Sequence, residues 1–198
     1  MAAVQQDGDA LQFASEALKQ ERDVALAAVQ TQVHALRFAS DGLRADREVV
    51  LMAVSLNGHA LKYAAQSLKA DKEVVLAAVQ QQVDALQFAA DSVKSDKEVA
   101  LAAVKQDGGV LAHTAKSCRA DRDVVLAAVQ QNGPALGFAS GELKADRGVV
   151  QAAVQRCSYA LRHAASVLRG DKDMVLCAVK REGLALQYAS EVLRADKD

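Results

Sequence analysis

Four histidines, three cysteines and a charged cluster that recurs along the chain are the residues that could do chemistry in this 198-residue sequence. His34 and His59 stand 25 residues apart in equivalent surroundings. Two imidazoles without a third ligand make a poor zinc site, because zinc sites use three or four protein ligands. Solvated surface histidines are the simpler expectation. His113 and His163 occupy positions where Phe13, Phe38, Tyr63, Phe88, Phe138 and Tyr188 stand elsewhere. They are read as polar-tipped replacements for a ring at a groove edge, with a pigment or metal ligand role as the alternative. Cys118, Cys157 and Cys177 are an odd number in no metal-like spacing. Cys118 replaces a leucine and Cys177 an alanine, so both are expected to act as small buried hydrophobes. Nothing resembles a disulfide framework, which points to a reducing interior compartment or an organelle.

The charged cluster Lys69-Ala70-Asp71-Lys72-Glu73 recurs as Arg44-Ala45-Asp46-Arg47-Glu48 and Arg194-Ala195-Asp196-Lys197-Asp198. It could be a ladder for a charged partner. The plainer expectation is helix N-capping along a solvated edge, with ion pairs worth up to about 1 kcal/mol each. Both signs sit together at every rung, so the field should largely cancel. Gln106-Asp107-Gly108-Gly109 lacks the lysine-serine pair of a phosphate loop. The acidic residues do not follow a calcium-loop pattern. No nucleophile has a base placed for it by spacing, so no catalytic, metal-binding or cofactor-binding residue is assigned.

The elements that must position these residues follow from a period of 25 that never slips. Glu21, Asp46, Asp71, Asp96, Asp121, Asp146, Asp171 and Asp196 form one column, and Leu11, Leu36, Leu61, Leu86, Leu111, Leu136, Leu161 and Leu186 another. An Ala-Val pair recurs between them, as at Ala78-Val79 and Ala128-Val129. Such a fixed period is the signature of a stacked repeat array. The array divides into a partial unit 1–20, full units 21–45, 46–70, 71–95, 96–120, 121–145, 146–170 and 171–195, and the start of a further unit at 196–198. Neither end carries an atypical capping repeat, so the chain is expected to be a segment of a longer protein.

Within a unit, Asp71 reads as the N-cap of a buried helix through Val74, Val75, Leu76, Ala78 and Val79. Glycine closes that helix at Gly58, Gly108, Gly133 and Gly183, as a helix C-terminal turn. Val33, Val83 and Ser158 replace the glycine in other copies, without an evident account of the turn. A second helix is expected from Asp84 to about Val93, with Ala85, Leu86, Phe88, Ala89, Ala90 and Val93 on its buried arc. Two helices per unit make an all-α solenoid of stacked αα-hairpins, of unassigned hand. A leucine-rich repeat has a compatible period, but its L-x-x-L-x-L-x-x-N pattern is absent.

Asp71–Gln81 and Ala85–Ala89, D-K-E-V-V-L-A-A-V-Q-Q followed by A-L-Q-F-A, resemble the repeat family catalogued as domain of unknown function 4116. That family is common in unicellular algae and other protists and occurs in some intracellular bacteria. The resemblance covers the whole chain, with two 25-residue units per family module. It implies a repeat fold and brings no enzymatic assignment or functional residues.

Composition bounds the partners. Lys and Arg number 24 against 25 Asp and Glu. The basic excess that phosphate binding needs is missing, which argues against nucleic acid. Apolar runs of six residues, such as Val124–Val129, are far short of the roughly 20 that span a bilayer. A membrane complex could still be the host. What varies between copies is one side of the second helix. It reads His34, Arg37, Asp41; His59, Lys62, Gln66; Asp84, Gln87, Asp91; Gly109, Ala112, Lys116; Pro134, Gly137, Gly141; Tyr159, Arg162, Ser166; and Leu184, Gln187, Glu191. In solenoids a variable face often presents the binding surface. The candidate partner-binding residues are therefore His34, Arg37, Asp41, His59, Lys62, Gln66, Tyr159 and Arg162. The small residues of the fourth and fifth sets should leave a shallow saddle. The expected function is a non-enzymatic protein–protein interaction scaffold, or a peripheral structural subunit of a larger assembly. The alternatives are a pigment- or cofactor-associated subunit of an organellar, for example photosynthetic, complex, and the accessory repeat region of a longer enzyme.

Overall fold

The computed structural model describes residues 1–195, and the further unit expected at 196–198 lies outside them. The described residues are helical, with no strand among them. They fall in two compact units, Met1–Lys94 and Ser95–Asp198, each a stack of the 25-residue repeats. Within each unit the repeats pack in register, long helix on long helix, as an all-α repeat solenoid.

The repeat around Arg122 shows how the sequence builds the structure. Asp121 caps a long helix, Arg122–Gln131, and its Oδ1 accepts from the N–H groups of Asp123 and Val124 at 3.0 and 3.2 Å. Val124, Val125, Ala128 and Val129 line the buried side of that helix. Asn132 is extended (φ −142°, ψ 98°), and a 3-10 segment follows over Gly133–Phe138, with Pro134 in its first turn, where a missing N–H costs nothing. Leu136 in this segment is fully buried, as are its equivalents from Leu11 to Leu161. Ala139 is extended, and Ser140 then caps a short helix, Gly141–Lys144, accepting from Leu143 N–H at 3.4 Å.

The second helix of the expected hairpin is thus two pieces. Residues 83–94 form a 3-10 segment, Val83–Phe88, and a short α-helix, Asp91–Lys94, with extended Ala89 between them. Helix propensity alone would carry the alanines straight through. An inter-repeat hydrogen bond opposes it. Ala90 N–H, freed from the helix, donates to the Lys69 carbonyl of the preceding repeat at 2.8 Å. The same bond joins Ala65 to Arg44, Ser140 to Arg119, Ala165 to Lys144 and Ser190 to Arg169, each at 2.8 Å. The kink exchanges an intrahelical bond for one that stitches neighbouring repeats, so the backbone groups stay satisfied.

The glycines have a different role from the expected one. Among the described residues no glycine has positive φ, so none forms a left-handed helix end. Gly8, Gly58, Gly108 and Gly133 are there because the next repeat's long helix comes too close for a side chain. A Cβ would lie 2.4, 2.3, 2.2 and 2.6 Å from the carbonyl oxygens of Ala28, Ala78, Ala128 and Ala153. Val33 and Ser158 need no special turn, since Gln32 and Cys157 are extended like Asn57. At Val33 the following long helix, Arg47–Leu56, instead packs less closely than its equivalents do on Gly8 and Gly58.

A ladder of ion pairs runs along the N-terminal edge of the long helices. Arg47 reaches forward to Asp71 (3.2 Å) and to Glu73, and Lys97 to Asp121 (2.8 Å) and Asp123 (2.7 Å). Arg122 pairs with Asp146 at 3.2 Å, and Arg147 with Asp171 and Asp173. The N-cap carboxylates of Asp71, Asp121, Asp146 and Asp171 are held below their usual range. For Asp71 the main cause is the Val74 N–H, followed by Arg47; for Asp121 it is the Lys97 ammonium. Hydrogen bonds to Asp121 and Asp123 push Lys97 up to about 12. The expected N-capping edge is present, and its pairs link neighbouring repeats.

Candidate functional site

The kink after the 3-10 segment opens a groove between successive repeats at two places, one in each unit. One wall is the short helix of the first repeat, with a basic residue in its last turn. The other is the ring and the Ala-Ser or Ala-Ala pair of the next. Arg37, Phe38, Ser40 and Asp41 face Glu16 and Lys19 across one such groove, of about 800 Å³. Lys116 and Arg119 face Phe138, Ala139 and Ser140 across another, of about 400 Å³.

The candidate residues of the first unit do not share one surface: Arg37 and Asp41 line the first of these grooves. His34, His59 and Lys62 line a separate cavity of about 430 Å³ with Tyr63 and Phe88. The two imidazoles do come to one cavity, as stacking requires. Each also pairs with a carboxylate: His34 Nε2 with Asp9 at 3.0 Å, and His59 Nε2 with Asp84 at 2.9 Å. His59 further meets Phe88 edge-on at 5.8 Å. Lys62 lies 5.8 Å over Tyr63, and Arg37 lies 4.4 Å over Phe38 and 3.9 Å from Asp9. Asp41 pairs with Arg44 of its own short helix, and Gln66 is exposed at the start of Gln66–Lys69. In the other unit, the Tyr159 hydroxyl donates to Glu182 and its ring meets Tyr188 edge-on at 5.9 Å. Hydrogen bonding to that carboxylate raises the Tyr159 pKa. Arg162 Nε donates to His163 Nε2 at 3.0 Å.

His113 and His163 are half-buried ring replacements, and Phe138 holds the same place in the intervening repeat. The His163 ring lies over Gly137, where a Cβ would come 3.0 Å from it. Burial, then the charges of Arg162 and Lys144, hold the His163 imidazole below its ordinary value. Cys118 is buried, and burial pushes its thiol up; Cys157 and Cys177 are half-buried. Among the described residues, no group of three or more His, Cys, Asp or Glu is placed to hold a metal ion. No helix among them is long and apolar enough to cross a membrane.

One column was missed at the sequence level. Lys19, Arg44, Lys69, Lys94, Arg119, Lys144, Arg169 and Arg194 stand in the last turn of the short helices, and every one is basic. In sequence each lies two residues before an acidic N-cap, which suggests cancelling charges. In space the N-caps that take a cation from the ladder take it from the long helix of the preceding repeat. The groove cation is left to whatever stands three residues before it. Lys19 and Arg44 meet Glu16 and Asp41. Lys69 faces Gln66, and burial followed by the Arg44 charge holds its ammonium below the usual value. The uniform basicity of this column was the available signal.

No curated protein and no solved structure matches the chain. One family does, over residues 1–44, 46–94, 121–169 and 171–198, and its segments 46–94 and 121–169 each span two of the 25-residue units seen here. Those matches cover most of the sequence, and the chain belongs to the family described as Domain of unknown function (DUF4116).

Proposed function

We propose that this chain is a non-enzymatic scaffold that binds protein through its inter-repeat grooves, as an adaptor or as a peripheral subunit of a larger assembly. One observation carries the proposal. The N-caps, the buried leucines and the inter-repeat backbone bonds recur in nearly every unit, while the residues lining the grooves differ from copy to copy. Arg37 and Asp41 give way to Lys62 and Gln66, then to Gly137 and Gly141, then to Arg162 and Ser166. A frame that needs only constant residues leaves the groove columns free to carry recognition.

The test is gentle fractionation of cells that make the protein, followed by cross-linking and mass spectrometry. The proposal expects co-migration with a defined protein, with cross-links from groove residues such as Lys19 and Lys116. Recovery as a lone monomer, or cross-links confined to the long-helix edge, contradicts it.

A further inference from the structure

Three consecutive short helices in Ser95–Asp198, namely Lys116–Arg119, Gly141–Lys144 and Ser166–Arg169, end in half-buried cations. Among the described residues, Arg119, Lys144 and Arg169 have no ion-pair partner. The position three residues earlier, where Glu16 and Asp41 neutralise Lys19 and Arg44, holds Lys116, Gly141 and Ser166. Glu142 lies two residues before Lys144, a spacing that faces away on a helix. The Nε atoms of Arg119 and Arg169, like that of Arg44, are buried with no hydrogen-bond partner, although such groups are ordinarily satisfied. What sets Arg119 and Arg169 apart from Arg44 is the missing carboxylate three residues before them. Lys116 adds positive charge to the Arg119 groove, and Arg162 lies beside His163. The His163 imidazole, held below its ordinary value first by burial, is also lowered by the Arg162 and Lys144 charges beside it.

We infer that the groove lined by Lys116 and Arg119, with the cations Lys144 and Arg169 of the next two repeats, binds an extended acidic peptide segment of a partner protein. This rests on the scaffold proposal and names the partner's chemistry. Spacing and charge favour that occupant. Packed helices recur every 8–10 Å, so the three cations rise by roughly one such step per repeat. An extended chain rises about 3.3 Å per residue, so a carboxylate at every third position advances by about the same step. Carboxylates match the guanidinium fork bidentately and satisfy its open donors. Phe138 supplies an apolar wall in the Arg119 groove. Nucleic acid is disfavoured, because residues 95–198 carry only fifteen Lys and Arg against thirteen Asp and Glu.

The probe is a fluorescein-labelled peptide with glutamate at every third position and glycine or serine between. It is titrated into the full chain at low salt and followed by anisotropy. The expected result is saturable binding that weakens with salt. A peptide of identical composition with its glutamates clustered should bind several-fold more weakly. Arg119→Glu/Lys144→Glu/Arg169→Glu should lose at least tenfold. The neutral variant Arg119→Gln/Lys144→Gln/Arg169→Gln should lose severalfold with unchanged circular dichroism, and it decides the matter if the charge-reversed protein fails to fold. No binding by the unmodified chain, or equal binding by the neutral variant, overturns the inference. So does tighter binding of an oligothymidine of equal charge. A neutral variant that still recovers a native protein partner overturns this inference alone and leaves the scaffold proposal standing.

Discussion

Arg44 and Arg119 end short helices of the same four-residue length at the same repeat position, yet only one is neutralised. Arg44 meets Asp41 three residues back; Arg119 has Lys116 there. The contrast is not uniform within a unit, since Lys69 in the first faces Gln66 and Arg194 in the second meets Glu191, but the net charges of the two units differ in the same sense. Residues 1–94 carry nine Lys and Arg against twelve Asp and Glu, and residues 95–198 carry fifteen against thirteen. The backbone frame is shared by both, down to the 2.8 Å bonds from Ala65 to Arg44 and from Ser140 to Arg119. Folding therefore holds the cation column in place, and the residue at the start of each short helix sets whether that cation is quenched or left available.

If the frame is common, breaking it should cost the same in either unit. The largest effect is expected at the glycines. Gly58→Ala and Gly133→Ala drive a Cβ into the Ala78 and Ala153 carbonyls and should each destabilise by about 1–3 kcal/mol, the usual cost of overpacking. Gly141, with open space around it, should tolerate alanine or gain a few tenths of a kcal/mol, by roughly the entropy such a change removes. Urea unfolding of the three variants checks this, and a neutral Gly133→Ala would break the close-approach argument.

The N-caps come next. Asp46→Ala and Asp121→Ala should each cost about 1 kcal/mol, within a few tenths of each other, because each cap accepts from two backbone N–H groups. A large difference in chemical denaturation between the two would show that the frame is not shared. Smaller still is the groove exchange. Lys116→Asp should pair with Arg119 and weaken acidic-peptide binding about threefold, and Asp41→Lys should free Arg44 and strengthen it by a similar factor, as expected of exposed pairs worth about 0.2–1 kcal/mol. Peptide anisotropy reads both. Acid should weaken the frame through its N-caps. Asp71, Asp121, Asp146 and Asp171 titrate below their ordinary 3.8 in the folded chain. Their stabilisation is present above that value and is lost as pH falls through the lowered ones. Thermal unfolding should thus be flat near neutrality and fall below about pH 4. A rise in stability on acidification would contradict the assignment.

Much of this architecture was legible in the 25-residue period. The N-cap aspartates, the buried Leu136 column and the buried Val-Val and Ala-Val pairs stand where their spacing placed them. The kink at Ala89 was hidden because its cause is a backbone bond to another repeat, which no side-chain pattern records. Gly58 and Gly133 were visible as constants, but a left-handed turn and a close approach leave the same mark in a sequence, and only the distance to the next helix separates them. The candidate site was legible as columns but not as surfaces. Positions 34, 37 and 41 share a side on a continuous helix, but in the structure His34 lines one cavity and Asp41 another. The basic column was masked by acidic neighbours in sequence that pair elsewhere in space, as Asp121 does with Lys97.

The most direct measurement is hydrogen exchange on the intact chain with and without the glutamate-every-third peptide. Slowed exchange at Lys116–Arg119, Gly141–Lys144 and Ser166–Arg169, with no change at Asp41–Arg44, is the predicted result. Protection of Asp41–Arg44 to the same extent, or none at Arg119, Lys144 and Arg169, would contradict the account.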